Sequence, residues 1–355
     1  MDLELVGFVQ NLFSQPALLI TAILVVGVIL VNGWTDAPNA IATCVSTRSI
    51  APRNAVIMAA VFNFLGVLVM TMVNRKVAET IYNMVDFGKM TAGVGNPAMI
   101  ALCAALFGIV VWATAAWYFG IPTSESHALI AGLSGAAIAM GGFNAINFNE
   151  WVKVIYGLGL SSILGFGSGY VVVKAIGFLF KSMSNQRADS FFGKAQVAGG
   201  AAMAFMHGAQ DGQKFIGVFI LGMFIANGSG DVGQITTVPF WLIIFVSLIM
   251  GLGTSIGGYK IIKAVGMDMV KLKKYQGFSA DLAASLCLLF SSVTGIPVST
   301  THTKTTSMMG VAAAKRISAV NWNVVKEMGL AWILTFPGCG LLSFLITTLA
   351  IHIFK

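Results

Sequence analysis

Two aspartates, Asp36 and Asp211, sit in segments that are otherwise almost apolar, VNGWTDAPNAIAT (31–43) and MHGAQDGQKFIGV (206–218). A carboxylate in such surroundings needs a counter-charge. Flanked by Gly, Asn and Gln, it offers hard oxygen donors to a cation, or a seat for a proton. Capping a helix, or pairing with the nearby Lys214, would also satisfy it. Two other segments, GIPTSESH (120–127) and GIPVSTTH (295–302), suggest the complementary chemistry. Proline lacks a backbone donor and favours an extended residue before it, so each Gly-Ile-Pro is expected to interrupt a helix and open a new one. Ser124 and Ser126, with Ser299, Thr300 and Thr301, then fall in the opening turns. Free N–H groups, the positive end of the helix dipole and hydroxyl donors converge there into an anion site. For either motif alone, helix capping by Ser or Thr is the simpler reading.

Other polar residues in these segments have less definite roles. His127, His207 and His302 read first as hydrogen-bonded core residues. Lys214 and Lys304 could strengthen an anion site or neutralise carboxylates. Glu125 is a third acid, and it breaks the correspondence between the motifs, because Thr300 stands at its partner position.

One displacement relates all of these segments. Gly33 and Gly208, Asp36 and Asp211, Pro122 and Pro297, Ser124 and Ser299, and His127 and His302 are each 175 residues apart. Two unrelated motifs keeping the same spacing point to a duplication. Loop charge gives the orientation of the copies. The loop after the first Asp motif (45–54) holds Arg48 and Arg53, whereas its counterpart (227–234) has no base. The turn at 141–150 has none either, whereas its counterpart carries Lys315 and Arg316. The positive-inside rule then sets the halves upside down to one another, with both termini outside. Fourteen of the 21 Lys and Arg residues fall in the four regions placed inside. The expected organisation is a first repeat over 1–180, a cytoplasmic linker over 181–196 and a second repeat over 197–355. Expected spans are 17–44, 55–72, 97–140, 151–180, 197–226, 237–258, 278–314 and 324–351, the third and seventh turning back at Gly-Ile-Pro.

Composition agrees with this. Of 355 residues, 57% are hydrophobic and 10% charged, against about a quarter charged in soluble domains. That excludes a soluble globular protein, a disordered chain and a fibre. The formal charge of +8 suits basic cytoplasmic loops rather than nucleic acid, for which no base-reading motif is present. Cys44, Cys103, Cys287 and Cys339 lack metal-ligand spacing and read as small packed residues. Spacings such as Gly165 to Gly169 and Gly253 to Gly257 read as close helix packing. The acidic N-terminus lacks the basic region of a cleaved signal, so the first apolar run is expected to belong to the mature fold. The fold class is an all-α polytopic membrane protein of two inverted-topology repeats with re-entrant or broken helix hairpins.

The same residues carry a resemblance. NGWTDAPNAIAT and HGAQDGQKFIG resemble the twin signature of the inorganic phosphate transporter (PiT) family, and HGAQDGQK is particularly similar to the second signature of bacterial low-affinity phosphate permeases. The GIPTSESH and GIPVSTTH hairpins resemble the family too, and the likeness runs over nearly the whole chain. It implies a carrier in a prokaryotic cell membrane that moves orthophosphate with Na+ or H+, without a cofactor and compatible with a homodimer. It also implies cation coupling, by Na+ where sodium is used, at Asp36, Asn39 and Asp211. Phosphate contacts would come from Gln210, Ser124, Ser126, Ser299, Thr300 and Thr301. Thr35, Glu125, Lys214 and Asp281 take supporting positions. Several residues depart from the common pattern: Thr35 and Gln210 each replace an Asn, Lys214 stands at the second motif's final Asn, and Asn63 takes the place of a frequent acid. Such changes alter the charge of the site and leave sodium and proton open as coupling ions. A sulfate carrier of the same fold is the near alternative. Remote ones are a passive channel and an intramembrane serine protease using Ser134 in GLSG (132–135).

Overall fold

Proline marks where several of the apolar runs begin. In the computed structural model, which describes residues 5–85, 97–119, 121, 123–226 and 238–354, the helices α2 (Pro16–Thr35), α4 (Pro52–Val73) and α6 (Pro97–Tyr118) each start on a proline, whose fixed φ and missing N–H suit a first helical position. A short helix, α1 (Leu5–Ser14), precedes them. The rest of the first half comprises α3 (Ala37–Ser46), α5 (Lys76–Asn83), α7 (Glu125–Gly141) and α8 (Phe148–Leu179). The second half comprises α9 (Asn185–Ala226), α10 (Phe240–Ser255), α11 (Tyr259–Lys263), α12 (Lys274–Thr294), α13 (Thr300–Ala313) and α14 (Trp322–Phe354). Among the described residues the only β pairing is two isolated antiparallel bridges, Val85 with Ile146 and Val270 with Val320.

Corresponding elements recur in order. Moving Glu125, the first residue of α7, by 175 positions gives Thr300, the first of α13. The two bridges hold matching corners, since the Asn147 N–H donates to the Met84 carbonyl at 3.0 Å and the Asn321 N–H to the Met269 carbonyl at 3.0 Å. Packing crosses between the halves: α8 lies against α13, and α14 against α7. Gly165 and Gly169 of α8 face Thr303, Thr306 and Ser307 of α13 at the distance of backbone contact, as their spacing suggested.

Among the described residues, seven helical spans, one of them α2 and α3 together (Pro16–Ser46), are long and apolar enough to cross a bilayer, or eight if α10 and the helical segment Tyr259–Met269, bent by 68°, form one span. This is a multi-pass membrane protein. Neither α9 nor α13, which carry the second copies of the motifs, is among the seven. Their polar content is tolerated because protein rather than lipid surrounds them: residues 206–223 of α9 and 300–312 of α13 are all buried. A helix of 14 residues, such as α13, is about 21 Å long, too short for a hydrocarbon core of about 30 Å, so its start belongs inside the membrane.

The second Gly-Ile-Pro breaks the chain as expected. Gly295, at φ +78°, ends α12 in the left-handed conformation, residues 296–298 are non-helical, and Ser299 caps α13. Gly120 and Pro122 of the first motif lie outside the described residues, as do Lys89 and the loop 227–234, but Ser124 caps α7 in the same way. The segment expected as a linker is largely helical, because α9 already begins at Asn185.

At Gly33 and Gly208 a neighbouring backbone leaves no room for a side chain. A Cβ on Gly33 would lie 2.4 Å from the Gly253 carbonyl carbon, and one on Gly208 would lie 2.2 Å from the Asn63 carbonyl oxygen. Both neighbours are backbone and cannot rotate away. Gly208→Ala is therefore expected to cost about 1–3 kcal/mol through overpacking, read as a lower melting temperature in detergent. Gly167→Ala, where a Cβ meets nothing within 4 Å, should leave it nearly unchanged.

Candidate functional site

The first aspartate lies at a helix break and the second inside a continuous helix. Pro38 cannot donate to a preceding turn, and the chain breaks at Asp36, which ends α2 and precedes α3. The corresponding α9 has no proline and runs unbroken for 42 residues through Asp211. Both carboxylates are buried. Asp36 Oδ2 accepts the Glu125 N–H at 3.2 Å, which puts this carboxylate on the opening turn of α7, at the positive end of its dipole.

Asp211 gathers donors from three other helices. Oδ2 accepts from Asn32 Nδ2 at 3.2 Å and from Thr300 Oγ1 at 3.2 Å. Oδ1 accepts from Lys214 Nζ at 2.7 Å and Ser126 Oγ at 3.4 Å. His207 Nε2 lies 3.2 Å from Oδ2, and its Nδ1 meets Asn63 Oδ1 at 2.9 Å. Lys214 Nζ also donates to Ser126 Oγ at 2.6 Å and to the Val298 carbonyl at 2.7 Å.

Equivalent residues of the two halves meet in this region. Ser299 Oγ donates to Ser124 Oγ at 2.8 Å, while the same hydroxyls accept from His302 N and His127 N and so cap their own helices. The rings of His127 and His302 stand edge to face at 4.3 Å and continue onto Phe336 and Trp332, so both histidines are packed among core aromatics. Asn39 Nδ2 donates to Thr301 Oγ1 at 3.0 Å, Thr35 Oγ1 to Glu125 Oε2 at 3.0 Å, and Gln210 Nε2 to the Ile296 carbonyl at 3.3 Å. Asn32 Oδ1, Asn39 Oδ1, Glu125 Oε1 and Gln210 Oε1 are buried acceptors without a donor. Such oxygens call for a cation or a proton.

One turn further along α3 and α13 is a second polar cluster. Lys304 pairs with Asp281, and its Nζ also donates to Thr43 Oγ1 at 3.0 Å. Thr43 Oγ1 lies 2.9 Å from both Asp281 oxygens, and Gln196 Nε2 donates to Oδ2 at 2.5 Å. From Asn39 and Thr301 to Thr43 and Lys304 the contacts advance along both helices in the same direction. The stripe points toward Thr47, which lines a cavity of about 750 Å³ together with Arg48, Lys181, Asp189, Lys273 and Lys274.

Residues 32–343, which include both aspartate motifs and the second hairpin, match the model of the phosphate transporter family. A chain from Bacillus subtilis described as a probable low-affinity inorganic phosphate transporter is 37% identical over 86% of this chain and 89% of its own length. This protein belongs to the phosphate transporter family. A Rhizobium meliloti relative with the same description is 38% identical over 88% of this chain and 90% of its own. The fold matches a solved structure entitled "The sodium-dependent phosphate transporter" with a TM-score of 0.85 at 22% identity, over 96% of this chain and all of that one. Members of the family are transporters, not enzymes. Ser134, the nucleophile of the protease alternative, accepts from Trp151 Nε1 at 3.1 Å and packs beside α14.

Of the residues picked out in the sequence, Asp36, Asn39, Asp211, Gln210, Ser124, Ser126, Ser299, Thr300, Thr301, Thr35, Glu125 and Lys214 are buried and joined through the contacts above. Asp281 lies apart from them, in the second cluster. Both lysines whose role was open turn out to neutralise carboxylates. Asn32, Thr43 and Gln196 were missed as contributors. Asn32 precedes Asp36 by about one helical turn, a spacing that would have placed it on the same face. Thr43 follows Asn39 by the same spacing, whereas Gln196 carries no such signal, because what gives it a role is a contact with Asp281 on a distant helix.

Proposed function

We propose that this chain imports inorganic phosphate across the cell membrane by alternating access, with a monovalent cation, Na+ or H+, moving alongside. The observation that carries this reading is that one set of donors serves two kinds of anion. Ser126 and Thr300 hydroxyls and the Glu125 N–H, which are suited to an oxyanion at the start of α7 and α13, donate to the carboxylates of Asp211 and Asp36. Phosphate can use these donors only as the carboxylates give them up. A cation or proton on the carboxylates draws them off, so each ligand promotes binding of the other by the same factor.

The contacts of Ser124 with Ser299 and His127 with His302 support two halves related by rotation, since a residue that touches its own equivalent lies beside the axis. On this reading 1–180 and 197–355 are inverted copies joined through 181–196, and they rock about the shared site. Phosphate is favoured over sulfate because its remaining proton can be donated to a carboxylate such as Glu125, whose Oε1 has no other donor.

Uptake of labelled phosphate into proteoliposomes, with Na+ and pH gradients imposed separately, tests this. Accumulation driven by at least one gradient is expected, with competition by arsenate and little by sulfate. Uptake indifferent to both gradients would remove coupled transport, and strong competition by sulfate would reassign the cargo.

A further inference from the structure

Asp36 and Asp211 occupy equivalent positions, yet their surroundings differ in charge. Three residues after Asp36 stands the neutral Asn39, and three after Asp211 stands Lys214. Among the described residues, no ion pair involves Asp36 or Glu125, whereas Asp211 has an ammonium at 2.7 Å.

An ammonium has three N–H donors. All three of Lys214 are used, on a carboxylate oxygen (Asp211 Oδ1, 2.7 Å), a hydroxyl oxygen (Ser126, 2.6 Å) and a backbone carbonyl (Val298, 2.7 Å). None is left for phosphate, which argues against Lys214 as a ligand of the transported anion. Carboxylate, hydroxyl and carbonyl oxygens are the hard donors that would also surround an alkali cation. The cage is drawn from α7, α9 and the chain entering α13, so it spans both halves as a coupling site must.

We infer that the Lys214 ammonium is a tethered cation, filling one of two equivalent cation positions so that the dissociable coupling ion is confined to the Asp36 side. This rests on the transport reading above. The Asp36 side retains what a mobile ion needs: two carboxyl groups without a lysine or arginine partner, and the buried, donor-free oxygens Asn39 Oδ1 and Glu125 Oε1. Each phosphate would then travel with one ion fewer than in a chain carrying a neutral residue at 214.

The test compares the native chain with Lys214→Asn, which copies Asn39, and Lys214→Ala, which opens the cage. Phosphate uptake into proteoliposomes is measured at fixed pH while Na+ or NH4+ replaces choline. Both variants are expected to become dependent on the added cation, rising several-fold from choline to saturating Na+ or NH4+. The Hill slope for sodium should exceed that of the native chain by one. Melting temperature in detergent supplies a readout independent of transport: Na+ or NH4+ should raise it in the variants more than in the native protein. Variants whose uptake and melting respond to these cations no more than the native chain's would overturn the proposal, as would variants that cannot be recovered folded in either salt. Failure of the native chain to move phosphate at all would instead strike the transport reading, leaving the melting comparison to decide on the cage.

Discussion

Lys304→Leu is expected to destabilise the protein by about 3–5 kcal/mol, and Asp281→Leu by a similar amount, because each leaves a buried charge without its partner. Both side chains are fully buried, and the pair is closed by Thr43 and Gln196. The double variant Asp281→Leu/Lys304→Leu should recover most of that loss. The other half of the molecule already shows a workable apolar solution. At the positions 175 residues earlier stand Leu106 and Leu129, both buried in one hydrophobic cluster. Replacing a buried ion pair by apolar residues of similar volume is often neutral or better for stability. Thermal unfolding of the four proteins in one detergent measures the cycle; near-additive losses in the double variant would show that the two charges do not compensate one another. Uptake should separate from stability. The pair lies one turn beyond Asn39 and Thr301, on the side toward the basic cavity lined by Thr47, so the refolded double variant is expected to transport more slowly than the native chain.

This asymmetry also shows what the sequence could and could not convey. Asp36, Asp211 and the hydroxyls after each Gly-Ile-Pro were legible because a polar residue within an apolar run is costly and must be satisfied, and because the same spacing occurs twice. The start of α13 was legible for a local reason, since Gly295 and Pro297 act on their own neighbours. The role of each lysine was not. Lys304 follows the hydroxyls of a hairpin expected to hold an anion, yet its partner is Asp281, on the helix before that hairpin. The contact depends on how α12 packs on α13, which no local pattern specifies. Similarly, the twin signatures suggest twin backbones, but Pro38 breaks the first helix where Gln213 lets the second continue. The exchange of α8 and α14 between the halves was also invisible, because an all-round apolar helix does not indicate which neighbour it will choose.

Asp211→Ala and Asp36→Ala should both abolish coupled phosphate uptake, yet differ sharply in stability. Removing the Asp211 carboxylate takes the counter-charge from a fully buried ammonium and a shared acceptor from Asn32, Ser126 and Thr300. An unpaired buried charge of this kind costs about 3–5 kcal/mol, which is about two to three and a half decades in the folded-to-unfolded ratio. Among the described residues Asp36 has no such partner. Its carboxylate accepts the Glu125 N–H, and losing it leaves one donor unpaired at about 1–3 kcal/mol, offset by removal of a buried carboxyl group. Asp36→Ala should therefore purify folded, with a melting temperature close to native. If Lys214 is what makes Asp211 structurally demanding, Asp211→Ala/Lys214→Ala should regain stability while remaining inactive. Equal melting losses for the two single variants would mean that the aspartates are as alike in the folded protein as they are in the sequence, and that the lysine beside one of them adds nothing to its role.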